Sequence, residues 1–249
     1  MHVKHPLPDC TFVIPFFKDS DDRLENLECI LNFLVDNFDT NIILVEATNG
    51  IYHFPLLKSY DKLNHSVEYI FHKQEGAIFH RTRVINTGIK ASKTPYIAIY
   101  DVDVVFPIQN IVRAVELLRE GAQMTYPYAG DFVDVERADY LKNGYIRERE
   151  SFAVDSKGGA VFMNTDDYVA AGMENIKIVG WGFDDCERWH RLYTLGYRIA
   201  RTEGKCWHIM HERVAQNPHN ETNMAEFEKV KGMNKEELRQ YITGWTWTK

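Results

Sequence analysis

No stretch of this 249-residue chain is apolar for the ~20 residues needed to cross a bilayer, and its opening, Met1-His2-Val3-Lys4-His5-Pro6, lacks the apolar core of a secretory signal. A cytoplasmic protein without a membrane span is expected, with peripheral association as the nearest approach to a membrane. Lysine and arginine nowhere form a block, and 29 basic residues against 36 acidic ones leave a net charge of −7. That balance argues against docking on nucleic acid or anionic lipid. The four cysteines, Cys10, Cys29, Cys186 and Cys206, have neither C-x-x-C nor zinc-ribbon spacing and are expected as free thiols. No G-x-G-x-x-G is present, which disfavours a dinucleotide fold of the dehydrogenase type.

What is there is enough apolar residue, 45% hydrophobic and 13% aromatic, to bury one sizeable core. Apolar runs at 11–16, 41–46, 67–71 and 94–100 read as strands, the first halted by Pro15 and the last expected to be buried. Leu24, Leu27, Leu31 and Leu34 recur at helical spacing behind Asp and Ser residues that can cap them; Val84, Ile85 and Ile89 form a second stripe, with Gly88 permitting close packing. A helix over 108–119, a strand over 123–127 and another at 160–163 follow. The tail from Asn223 to Thr243 reads as one or two amphipathic helices. The stretch from Tyr52 to His65 has no clear assignment, and 128–155 reads as an irregular segment with one short helix near Ala138 to Lys142, either a lid or a solvated excursion. Alternating strands and helices predict an α/β fold: a mainly parallel central sheet with helices on both faces.

Three stretches carry chemistry. In Tyr100-Asp101-Val102-Asp103, the alternation of a strand turns both carboxylates to one side, where a cation is their natural partner. Gly180-Trp181-Gly182-Phe183-Asp184-Asp185 makes a tight turn that presents an indole, then opens a helix with Trp189, Leu192 and Leu195 on its buried side and Gly196 as its stop. An aromatic face beside carboxylates suits a sugar. His208 and His211 can share one ion on a helical turn or irregular loop, and they fall after a strand at 197–200, in its exit. Arg81, at a helix start near the first carboxylates, is placed to grip phosphate, and Gly158-Gly159 lets backbone approach a ligand. Each has an ordinary explanation too: a solvated strand end, first-turn acids facing the helix dipole, a structural histidine pair, a solvated arginine, a bulge.

Taken in order, Ile14-Pro15-Phe16, Phe79-His80-Arg81, Asp101-Val102-Asp103, Gly158-Gly159, Gly180-Trp181-Gly182-Phe183-Asp184-Asp185 and His208 to His211 resemble the motifs of the GT-A glycosyltransferases, in particular a soluble, bacterial-type member of the β-1,4-galactosyltransferase-like branch. The resemblance implies a single GT-A (Rossmann-like) domain over 1–249, with a nucleotide-binding half (1–106) and an acceptor-binding half (107–249). It implies that Asp103, His208 and His211 ligate Mn²⁺, with Mg²⁺ as the alternative. Pro15, Phe16, Arg81, Asp101, Val102, Asp103, Gly158 and Trp181 would bind the nucleotide sugar. Asp184, Trp181 and Gly159 would meet the saccharide acceptor, and Asp185 would be the catalytic base of an inverting transfer. The donor would be UDP-Gal or UDP-GalNAc: Ser156 stands where galactose-using members carry an aromatic residue, leaving room for an N-acetyl group. The pathway implied is synthesis of a surface polysaccharide. Cys186 stands where the family has an acid, and Phe183 where it often has glycine. Two competing readings are a nucleotide-sugar hydrolase and a non-catalytic carbohydrate- or metal-binding module on the same fold.

Overall fold

The structure, a computed structural model, describes residues 3–74, 76, 78–137, 148–212 and 217–248. Its apolar runs become strands, the central ones buried on both faces and the edge strand Val67–Lys73 largely open to solvent. β1 (His5–Phe17), α1 (Asp21–Asn37), β2 (Phe38–Thr48), a 3-10 turn at Phe54–Leu56, α2 (Tyr60–Leu63) and β3 (Val67–Lys73) form the first half of the unit. α3 (Arg81–Ala91) and β4 (Tyr96–Tyr100) complete it. β4, β1, β2 and β3 lie side by side and parallel. Pro15 does not halt β1. Beyond Val13 that strand pairs, among the described residues, with β2 alone, and a residue without an N–H is tolerated where one side of the strand is unpaired.

Helices cover both faces because alternate strand residues point opposite ways. Phe12, Ile14 and Leu44 share a core with Leu27, Leu31 and Leu34 of α1, whose start is capped by the Ser20 hydroxyl accepting the Arg23 amide at 3.2 Å. On the other face Gly88 of α3 lies against β1 and β2, and an added Cβ would stand 2.4 Å from Val13 Cγ1. The helix can approach this closely only without a side chain there.

The second half departs from a purely parallel design. After β5 (Val104–Val105), α4 (Ile108–Arg119) and β6 (Met124–Tyr126), the chain forms β7 (Asp131–Val135) and β8 (Glu148–Ala153), then β9 (Ala160–Asn164) and α5 (Thr165–Ala170). α6 (Asp184–Leu195), β10 (Ile199–Arg201) and β11 (Lys205–Ile209) follow, and α7 (Asn220–Lys231) and α8 (Lys235–Thr243) form the tail. β9 inserts antiparallel between β4 and β6, giving a seven-stranded sheet in the order β10-β6-β9-β4-β1-β2-β3. A second, separately hydrogen-bonded sheet has the order β5-β11-β7-β8. The segment 128–155, read from sequence as irregular, therefore supplies two strands, while the short helix expected near Ala138 to Lys142 lies outside the described residues. Among the described residues no helix is long and apolar enough to cross a membrane.

The buried face of α6 also differs from expectation. Leu192 is buried, but Trp189 and Leu195 are only partly so, and the face is completed by Asp184, Glu187, Arg188 and Arg191. Charged groups can be buried there because they are paired: Arg191 binds Glu187 at 2.8 Å and donates to the carbonyls of Ala171 and Met173.

Candidate active site

β4 ends at Tyr100, so Asp101, Val102 and Asp103 form a turn rather than the end of a strand. The turn is tied at both ends, with the Asp101 amide donating to the Gly159 carbonyl at 2.9 Å and the Asp103 carbonyl accepting from the Ile209 amide at 2.7 Å. This turn sits at the carboxyl end of the parallel strands, where open α/β sheets bind ligands. It opens onto a cavity of about 720 Å³ lined by Pro15, Arg81, Asp101, Val102, Asp103, Gly158, Gly159, Trp181, Asp185, His208 and His211, with Phe17, Arg23 and Ser156 beside them.

The two aspartates, alike in sequence, have different partners. Asp103 Oδ2 lies 3.2 Å from His211 Nε2, 3.9 Å from His208 Nε2 and 3.0 Å from Arg23 Nη1. Burial works to raise its proton affinity, but the His211 hydrogen bond and the Arg23 and His208 charges outweigh it, holding the carboxyl well below the usual range. Asp101 Oδ1 accepts from Arg81 at 2.6 Å, yet burial and the nearby Asp103 push its proton affinity up.

Asp103, His208 and His211 bring one ligand atom each to within 4.8 Å of one another. Both rings are oriented for the task by their other nitrogens. His208 Nδ1 lies 2.8 Å from Asp134 Oδ1, and His211 Nδ1 lies 2.8 Å from the Glu212 carbonyl, so each presents Nε2 to Asp103. A carbonyl only accepts, which fixes Nδ1–H on His211. Carboxylate and imidazole donors of this kind suit Mn²⁺, so these three side chains fit a divalent cation. His208 is not in an exit loop: it sits in β11 opposite Asp134 of β7. His211 follows the strand's end at Ile209, so the two rings escape the opposite-face placement a regular strand would impose.

Across the cavity α6 begins at Asp184. Its N-cap, Phe183, is held in the left-handed region at φ 68° and stacks on Phe227 at 5.8 Å, with Gly180 and Gly182 also at positive φ. Only the glycines adopt this geometry freely. Trp181, on the turn they make, is 58% exposed. Asp185 lines the cavity, and burial, then the adjacent Asp184, push its carboxyl up to about 7 against the opposing charges of Arg188 and Arg81.

Three expected site residues are placed otherwise than the sequence suggested. Phe16 is fully buried in the core, and Phe17, stacked on Phe79 at 5.5 Å, lines the cavity instead. Asp184 is 4% exposed with its carboxylate bound to Arg81, and it does not line the cavity. Arg81 faces the cavity, but its guanidinium is committed to Asp184 and Asp101 rather than free for phosphate. Sequence reasoning missed Arg23 and Asp134. Asp134 is invisible without the β7–β11 register, and Arg23 looks like any solvated residue of a helix's first turn. All four cysteines are free thiols, as expected.

No protein-family model and no curated protein sequence matches the chain. Solved structures do. The catalytic domain of Drosophila β1,4-galactosyltransferase 7, in complex with xylobiose, is similar over 92% of this chain and 82% of its own, at 16% identity and TM-score 0.53. GalNAc-T7 with UDP, GalNAc and Mn²⁺ is similar over 90% of this chain at 12% identity and TM-score 0.59, and there the match spans 48% of the other chain, about half its length. The fold is thus that of the GT-A glycosyltransferases: a mostly parallel central sheet with helices on both faces.

Proposed function

We propose that this chain is a cation-dependent glycosyltransferase that moves galactose or N-acetylgalactosamine from a UDP-sugar to a saccharide hydroxyl with inversion. The observation that carries the reading is one cavity that joins a pre-oriented cation triad, Asp103, His208 and His211, to a carboxylate, Asp185, whose proton affinity suits a base near neutral pH. The structural neighbours' complexes with UDP, GalNAc and Mn²⁺ and with xylobiose are consistent with it.

Residues 1–106 would carry the nucleotide side and 107–249 the acceptor side. A cation held by the triad would offset negative charge on the departing diphosphate. The chain's own residues do the rest. Phe17, Pro15 and Val102 line the donor side, Gly158 and Gly159 let the sugar approach backbone, and Trp181 offers its ring face to a saccharide. The acceptor oxygen forms the bond to the anomeric carbon as its proton passes to Asp185, and the electron pair of the broken anomeric C–O bond leaves with UDP. Ser156 at the cavity wall leaves room for an N-acetyl group. Synthesis of a surface polysaccharide in the cytoplasm is the setting this reading favours. The direct test of the triad is Asp103→Ala: Mn²⁺-dependent binding of UDP is expected to vanish, and unchanged affinity would remove Asp103 from a metal site.

A further inference from the structure

Arg188 is 1% exposed and stands three residues after Asp185, on the same side of α6. Its Nη2 donates to Asp185 Oδ1, and its Nη1 donates to Glu174 Oε1 at 2.6 Å. That glutamate oxygen also accepts the Tyr168 hydroxyl at 2.6 Å. Glu174, itself 1% exposed, is clamped through its backbone: its amide donates to Asn86 Oδ1 and its carbonyl accepts from Asn86 Nδ2, both at 2.9 Å. Asn86 belongs to α3, whose first residue, Arg81, holds Asp184. The guanidinium therefore bridges a carboxylate fixed to the sheet-packed helix and a carboxylate in the cavity.

A guanidinium given wholly to one carboxylate would lock it as an anion of low basicity. Shared with Glu174, it fixes one oxygen of Asp185 while leaving the group able to take a proton. The other oxygen, Oδ2, is turned toward Gly158, where an added Cβ would lie 3.0 Å from it.

We propose that Arg188, anchored by Glu174, is a positioning residue for the base: it holds Oδ1 of Asp185 so that Oδ2, over Gly158, is the oxygen that takes the acceptor's proton, and its charge, divided with Glu174, tempers rather than abolishes the basicity of that oxygen. The inference rests on the transfer reading above. The other groups facing Asp185 are Asp184 and Cys186 beside it, Arg81 from α3, Asp101 after β4 and Tyr126 of β6. Arg81, the other cation of this set, is 3.9 Å from Oδ1 and already bound to Asp184 and Asp101. Arg188 is thus the cation in direct contact with the base.

The test is an NMR titration of protein labelled with ¹³C at the aspartate carboxyls, with the Asp185 resonance assigned by its loss in Asp185→Asn. Arg188→Gln removes the charge, and the Asp185 midpoint is expected to rise by about one pH unit, roughly tenfold in proton affinity. Glu174→Gln leaves Arg188 to Asp185 alone, and the midpoint is expected to fall. A packing role would not produce shifts of opposite sign. An unmoved midpoint in Glu174→Gln, or one that moves upward, overturns the proposal, and that variant decides alone should Arg188→Gln fail to fold. Titrating UDP with Mn²⁺ into the unmutated protein separates the two claims. Binding with unmoved midpoints refutes the role of Arg188 only, whereas absence of binding refutes the transfer reading while the midpoints still judge Arg188.

Discussion

Asp101 and Asp103 are the same residue type one position apart, and what distinguishes them is non-local. Asp103 meets Arg23 of α1 and the histidines at the end of β11; Asp101 meets Arg81 of α3. The D-x-D pattern was legible, but only the family resemblance divided its members, because strand alternation says which side a residue faces and not what waits there. The same limit explains Phe16 and Phe17: a one-residue error of phase exchanges core for cavity. Asp134 lies further beyond sequence, since only the pairing of β7 with β11 brings it to His208. Its role has a measurable consequence. Asp134→Ala should weaken Mn²⁺ affinity about 10–100-fold by releasing the His208 ring, and calorimetry that finds the affinity unchanged would remove it from the site. For Asp185, Asn substitution should leave UDP binding nearly intact while transfer falls by about 10²–10⁴. A general base must be unprotonated to act, so if Asp185 is the base, kcat/KM should fall about tenfold per pH unit below roughly pH 7 and level off above it. A profile flat from pH 5 to 8, or near-normal turnover of the Asn variant, would sink the assignment.

At the scale of elements, the legible parts were those whose local pattern and burial agree. The leucines of α1, the stripe and glycine of α3, and the apolar runs of β1, β2 and β4 could be read off because one face or both lie in the core. α6 could be read only in part. Its start and Gly196 stop were visible, but its buried face is built from Glu187, Arg188 and Arg191, residues ordinarily solvated and buried here through ion pairing. The four-stranded sheet was missed because its strands are short and paired with distant partners. It meets the main sheet at Gly159, at φ +78°, where an added Cβ would lie 3.0 Å from Phe132 and 3.2 Å from Cys206 and Val104. Gly159→Ala should therefore cost about 1–3 kcal/mol through backbone strain and crowding, read as a lowered midpoint in thermal unfolding. An unchanged midpoint would mean that the junction between the sheets yields more readily than its contacts suggest.

At the scale of the whole molecule, the sheet sets the site's place and the second half of the chain supplies most of its chemistry. β1 and β4 bring Phe17 and the aspartate turn to one edge; β11 and the residues after it add the histidines, the glycine turn before α6 adds the indole, and the first turn of α6 adds Asp185. Elements far apart in sequence thus converge on one cavity. The resemblance implied a shared site for these motifs, while the electrostatic web beneath it, from Glu174 through Arg188 to Asp185 and from there to Arg81 and Asp184, needed coordinates. The central claim is that this cavity is a cation-dependent site for a UDP-sugar. Calorimetric titration of UDP, UDP-Gal and UDP-GalNAc, each with Mn²⁺ and with EDTA, tests it most directly. The account predicts heat of binding with Mn²⁺ that EDTA abolishes, with UDP-GalNAc accepted beside Ser156; absence of binding under both conditions, or binding indifferent to the metal, would contradict it.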